Sequence, residues 1–96
     1  MESMEKCPLC DRVLIEGPSV NAHHLVPRSL RGRVTVKMHR ICHAKIHSVF
    51  SERELALYYH TCQRLLENHD IRKFVDWVQR KDPAYYDRHR SAARRR

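Results

Sequence analysis

The apolar and polar positions of this chain change period about halfway along it. Arg33 to Met38 alternates polar and apolar side chains, the pattern of a half-buried strand. Val20 to Val26 is a second candidate strand and carries the pair His23-His24. Before it, the apolar run Val13-Leu14-Ile15 is closed by a turn signal, Glu16-Gly17-Pro18-Ser19. Pro27 and Gly32 bracket a charged loop between the strands, and a helix is predicted from about Arg40 through Val49. The first half therefore reads strand, loop, strand, helix. In the second half the period becomes helical. Ser51-Glu52-Arg53-Glu54 has the form of a capping box. Leu55, Tyr58, Tyr59, Cys62, Leu65 and Leu66 fall on one face of a single predicted helix. Asn68-His69-Asp70 interrupts it. Asp70 is the expected N-cap of a second helix with the stripe Ile71, Phe74, Val75 and Val78, and Asp82-Pro83 is expected to end that helix. The fold class is α+β. Residues 1–50 form its core, 51–82 a helical hairpin completing the same domain, and 83–96 a basic, flexible tail.

Composition adds two constraints. A chain of 96 residues is one small domain, and a domain of this size often needs a staple such as a metal or disulfides. The N-terminal stretch does not read as a signal peptide, and no apolar run is long enough to span a bilayer. The expected setting is a reducing, cytoplasmic one with no membrane, where the four cysteines favour metal over disulfides. A formal net charge of +8 points to a polyanionic partner, with nucleic acid as the first candidate.

Two ligand patterns then stand out, and they share one stretch. Cys7-Pro8-Leu9-Cys10 is answered by His39-Arg40-Ile41-Cys42. A two-residue spacer lets a tight turn aim two ligands at one ion, so Cys7, Cys10, His39 and Cys42 predict a closed structural zinc site. Such a site can supply roughly 10 kcal/mol or more of folding free energy. Cys62 lies on the apolar face of the predicted helix and is read as a buried structural cysteine. The second pattern is His43 and His47, one helical turn apart, with His23 or His24 as a third group. Three imidazoles leave coordination positions open for water or substrate. Neighbours in a strand point to opposite sides, so whichever of the pair is not a ligand is free to act as a general base.

These residues carry a resemblance. Cys7-x-x-Cys10, then His23-His24-Leu25-Val26-Pro27-Arg28-Ser29, then His39-Arg40-Ile41-Cys42-His43-x-x-x-His47 resembles the HNH endonucleases, in particular their small bacterial and phage members with a zinc-knuckle ββα-metal (His-Me finger) core. The resemblance covers residues 7 to 47 and extends less specifically to the two helices that follow. It implies His23 as ligand of a catalytic divalent ion, His24 as general base, and His43 as a further ligand. His47 resembles the extra histidine ligand of the colicin-type nucleases. One departure is plain. The family carries an asparagine on the second strand, where it orders the loop bearing the base. Here the stretch reads Arg33-Val34-Thr35-Val36, and Thr35 is the candidate substitute.

The implied function is hydrolysis of DNA phosphodiester bonds, leaving 5′-phosphate and 3′-hydroxyl ends, with Mg²⁺, Mn²⁺, Ni²⁺ or Zn²⁺ as the catalytic ion. Three histidines hold Ni²⁺ or Zn²⁺ more tightly than Mg²⁺, so the ion bound and the ion used need not coincide. Arg28, Arg31, Arg33, Lys37 and Lys45 are candidates to grip flanking phosphates, and Arg94, Arg95 and Arg96 to lie along the backbone as part of an arm. Trp77, Tyr85 and Tyr86 could stack on bases, but beside an apolar stripe such rings are more often core. Two rivals remain: a non-catalytic zinc-knuckle DNA-binding accessory protein, and a zinc-stabilised protein-interaction domain. The oligomeric state, from monomer to part of a larger nuclease complex, is left open.

Overall fold

The computed structural model describes residues 5–85. The alternating segments form a hairpin: β1 (Val20–His24) pairs antiparallel with β2 (Thr35–His39), with His39 opposite Val20 and Thr35 opposite His24. Helix α1 (Arg40–Val49) follows β2 without a connecting residue, and His39 serves as both the strand end and the helix N-cap. The predicted helix bounds of about 40 to 49 match those observed. Ahead of the hairpin, Cys7 to Cys10 forms a tight turn. It is closed by Cys7 N–H donating to the Arg12 carbonyl at 2.9 Å and Asp11 N–H to the Cys7 carbonyl at 2.8 Å. Asp11 takes a left-handed conformation (φ 66°) to make that turn, and Lys6 then bridges Val13.

The single helix predicted beyond Ser51 is two. They are α2 (Glu52–Leu57) and α3 (Cys62–Leu65), and α4 (His69–Val78) follows. The apolar spacing alone favours continuity, but local capping wins. Thr61 is extended, and its side chain accepts from Arg64 N–H at 3.1 Å, starting a new helix, while Arg64 Nε donates to the Tyr58 carbonyl at 3.0 Å. The break turns Tyr58 out to solvent, leaves Tyr59, Cys62 and Leu66 half-buried, and buries Leu55 and Leu65 fully. Cys62 is therefore only partly buried. The N-cap of α4 is Asn68 rather than Asp70: its side chain accepts from Ile71 N–H at 3.1 Å, and Asp70 lies in the first turn. Asp82-Pro83 lies beyond the helix, which ends at Val78.

Together these elements make a small α+β fold with a two-stranded antiparallel sheet and four helices among the described residues. Helix α1 is its centre, packing on both strands and on α4. Met38, Ile46, Leu55, Leu65, Ile71 and Val78 are fully buried, and the side chains of Cys7, Cys10 and Cys42 join the same core. Among the described residues no helix is long and apolar enough to cross a membrane.

The predicted capping box is present: Ser51 accepts from Glu54 N–H, and Glu54 accepts from Ser51 N–H at 2.8 Å. It starts α2 two residues after α1 ends. Ser51→Ala is expected to lower stability by about 1 kcal/mol. An unchanged urea midpoint would show that the box contributes nothing.

Candidate functional site

Cys7, Cys10, His39 and Cys42 are all buried, and one ligand atom from each lies within 4.8 Å of every other. A tetrahedral zinc with bonds of about 2.3 Å separates its ligands by about 3.8 Å, so the four fit one ion. Three parts of the chain supply them: the N-terminal turn, the β2–α1 junction and the first turn of α1. His39 Nε2 lies 2.8 Å from the Pro83 carbonyl. A carbonyl can only accept, so Nε2 carries the proton. His39 Nδ1, 3.3 Å from Cys10 Sγ, therefore presents its lone pair to the cluster. His39 N–H also points at Cys7 Sγ, at 3.5 Å.

The thiols compete for charge. Hydrogen bonds from Cys42 and Cys7, and then from Arg12, hold Cys10 as the thiolate, well below the usual thiol range. Donating to Cys10 pushes Cys7 and Cys42 up, and burial adds to both. A divalent ion such as zinc would let all three sulfurs ionise. Three thiolates around a bound Zn²⁺ would leave one net negative charge. Arg12 answers it: Nε donates to Cys10 Sγ at 3.3 Å, and Nη1 to the Asp82 carbonyl at 2.6 Å. Gln79 Nε2 adds a bond to the Cys10 carbonyl at 3.0 Å. The segment after α4 is thus fastened onto the cluster. The reading of the sequence missed Arg12, although a cation two residues after a knuckle cysteine was a visible signal. The Asp82 and Pro83 carbonyls had none.

The second group is His23, His43 and His47, again with one ring nitrogen each within 4.8 Å of the others. Strand alternation turns His23 toward α1, where its ring centroid lies 5.1 Å from that of His43 and 5.8 Å from that of His47. The Nε2 atoms of His43 and His47 are 3.1 Å apart, close to the about 3.3 Å that two imidazoles span on one tetrahedral ion. His23 is 1% exposed, and neither of its ring nitrogens has a hydrogen-bond partner. A buried imidazole left unpaired carries a penalty of ~1–3 kcal/mol, which an ion shared with His43 and His47 would remove. Burial, and then the His43, His47 and His24 charges, pushes His23 down to about 4. Burial also lowers His43. Both are thereby neutral near pH 7, the form that binds metal. His43 is half-buried and His47 exposed, so the group opens to solvent on one side.

His24 lies outside this group. It is half-buried on the other face of the hairpin, opposite Thr35. No hydrogen bond joins the His24 and Thr35 side chains among the described residues. Arg28, Arg31 and Arg33 are exposed along the connection that leaves His24. Lys37 is held by Glu5 at 3.7 Å and Glu16 at 3.5 Å, and Lys45 turns toward α4, 5.9 Å from the Phe74 ring centroid. Neither lysine was expected to be engaged in this way. Arg94, Arg95 and Arg96, with Tyr86, lie outside the described residues.

No known protein-family model matches the chain, and no solved structure does. The uncharacterized protein YisB of Bacillus subtilis (strain 168) is 28% identical over 79 residues, spanning 80% of this chain and 76% of that protein.

Arg12→Gln removes the charge opposite Cys10. It is expected to weaken zinc retention against a competing chelator roughly 10- to 100-fold, and equal retention would rule out that role. With the histidine trio free of metal, His23 has a lower pKa folded (about 4) than unfolded (6.5). The unfolded chain then binds more protons between those values. The contribution is intact above about pH 6.5 and is lost as pH falls toward about 4. Replacing His23 by Leu should therefore flatten the fall in urea midpoint between about pH 7 and 5.5. A parallel profile would refute the assignment.

Proposed function

We propose that this chain is a metal-dependent endonuclease of the HNH type, hydrolysing phosphodiester bonds in DNA. His24 is its general base, and His23, His43 and His47 hold a divalent ion. The observation that carries this reading is the unpaired, buried His23 beside His43 and His47, with its strand neighbour His24 on the opposite face. A purely structural core would place an apolar residue at 23 and would not leave two imidazoles half-open beside it.

Each side chain has a distinct task. His23, His43 and His47 present neutral imidazole to the ion, which burial favours for the first two. When bound, the ion supplies charge stabilisation at the phosphate. His24 takes a proton from a water, whose oxygen forms the new bond to phosphorus as the bond to the 3′ oxygen breaks. The 3′ oxygen leaves as a hydroxyl with a proton from solvent, and the 5′ side keeps the phosphate. Arg28, Arg31 and Arg33 sit where they can neutralise flanking phosphates. Cys7, Cys10, His39 and Cys42 take the structural zinc.

Thr35 supports the second reading, a DNA-binding module without catalysis. It stands opposite His24 without a bond to it, in place of the family's asparagine.

Plasmid nicking separates the two. The wild-type chain is expected to convert supercoiled plasmid to open circles with at least one of Mg²⁺, Mn²⁺, Ni²⁺ or Zn²⁺, and His24→Ala to lose about 10²- to 10⁴-fold in rate. If wild type and variant were equally inert with every ion, the enzyme reading would fall and the binding module would stand.

A further inference from the structure

Three rings line one side of α4 and the turn after it. Phe74 and Trp77 are one turn apart with centroids at 5.9 Å, and Tyr85 meets Trp77 edge-on at 6.1 Å. Trp77 is 43% exposed, while Phe74 and Tyr85 are half-buried and Phe74 packs against the core, so the row stands at the edge of the core rather than inside it. Cations accompany it. Lys81 Nζ lies 4.8 Å from the Trp77 centroid and 5.5 Å from that of Tyr85, and Lys45 Nζ 5.9 Å from that of Phe74. Neither lysine is in an ion pair among the described residues. Asp82, the acid nearest in sequence to Lys81, turns into its own loop to accept from Ala84 N–H at 2.8 Å.

We propose that Phe74, Trp77 and Tyr85, flanked by Lys45 and Lys81, form a platform on which unpaired bases of a single-stranded polynucleotide stack. Rings at the surface flanked by cations outside any ion pair suit such a strand: the open ring faces take the flat faces of successive bases and the ammonium groups take the phosphates between them. An apolar protein partner would be met by rings without the lysines. The chain's net charge of +8 favours a polyanionic partner in general. Base pairs within a duplex are already stacked and cannot reach these rings, so the platform engages frayed, gapped or displaced strands. The inference rests on the nucleic-acid reading above but not on the cleavage step.

Trp77 is the only tryptophan in the chain, so its fluorescence reports on the platform directly. The full-length chain carrying His24→Ala, which leaves the strand intact, is titrated at one fixed salt concentration with oligo-dT and with a base-free strand of equal length and charge. Oligo-dT is expected to quench Trp77 and to bind more tightly than the base-free strand. Adding Trp77→Ala should weaken oligo-dT binding about five-fold or more, followed by anisotropy of a labelled strand, while the base-free strand is little affected. Tyr85→Ala, on a turn rather than a helix, should act in the same direction if the helix variant folds poorly. Equal binding of the two strands, or oligo-dT binding unchanged in both variants, would overturn the platform. If plasmid nicking fails while this quenching persists, only the cleavage reading is lost; if duplex binds but oligo-dT does not quench, only the platform is lost.

Discussion

Three buried sulfurs and one imidazole meet in one small space where the thiols compete for ionisation, and the remainder of the chain is arranged around that constraint. Hydrogen bonds make Cys10 the thiolate at the expense of Cys7 and Cys42. A divalent cation would relieve the competition, and the four donors are the set that zinc prefers. The cluster gathers what a chain of 96 residues has trouble gathering by apolar burial alone. The N-terminal turn brings two ligands, the strand end one, and the helix one. Through Arg12 and His39, the segment beyond α4 is held by its carbonyls to the same point.

Helix α1 passes this constraint to the histidine group. His39 caps the helix and Cys42 lies in its first turn, so the cluster sets where α1 starts and how it is rotated. Each residue turns the helix by about 100°, which sends His43 and His47 toward β1 while Cys42 and Ile46 stay buried. No loop separates β2 from α1 to absorb an error. The distance from His23 to His43 and His47 is thus governed by the residues of the first cluster, and loss of that cluster should carry the second group with it.

Much of this was legible. The hairpin, the start and end of α1 and the two Cys/His groups follow from alternation, spacing and the shared run His39 to His47, with the choice of His23 over His24 for the second group implied by the family resemblance. The segregation of His23 from His24 follows from strand geometry, because adjacent side chains leave opposite faces. What was not legible rests on single polar atoms. The break at Tyr58 depends on one threonine hydroxyl finding the Arg64 amide, and the stripe Leu55 to Leu66 carries no trace of it. Asn68 and Asp70 are both good caps, and only the backbone decides between them. Arg12 fastens to a carbonyl 70 positions away, a contact that composition and period do not encode.

Thr35 stands where the HNH endonucleases that the sequence resembles carry an asparagine, which raises the question of what holds the loop after His24. Here the backbone does much of that work. Leu30 and Gly32 both donate to the Pro27 carbonyl, at 2.9 and 3.1 Å, and Arg31 donates to the Arg28 carbonyl at 2.9 Å. Arg31 is left-handed (φ 73°), which turns the chain sharply back. At Gly32 a Cβ would stand 1.6 Å from the Val26 carbonyl oxygen, so the two arms of the loop can approach this closely only with glycine there. Leu25 N–H reaches the Val34 carbonyl at 3.1 Å, extending the ladder one step past His24, and Ser29 donates to Glu52 to tie the loop to α2. A side-chain amide is therefore not the only means of ordering this segment. The three arginines it carries are spaced by a turn shaped by Pro27 and Gly32, and none of the bonds that hold this turn uses the Thr35 side chain.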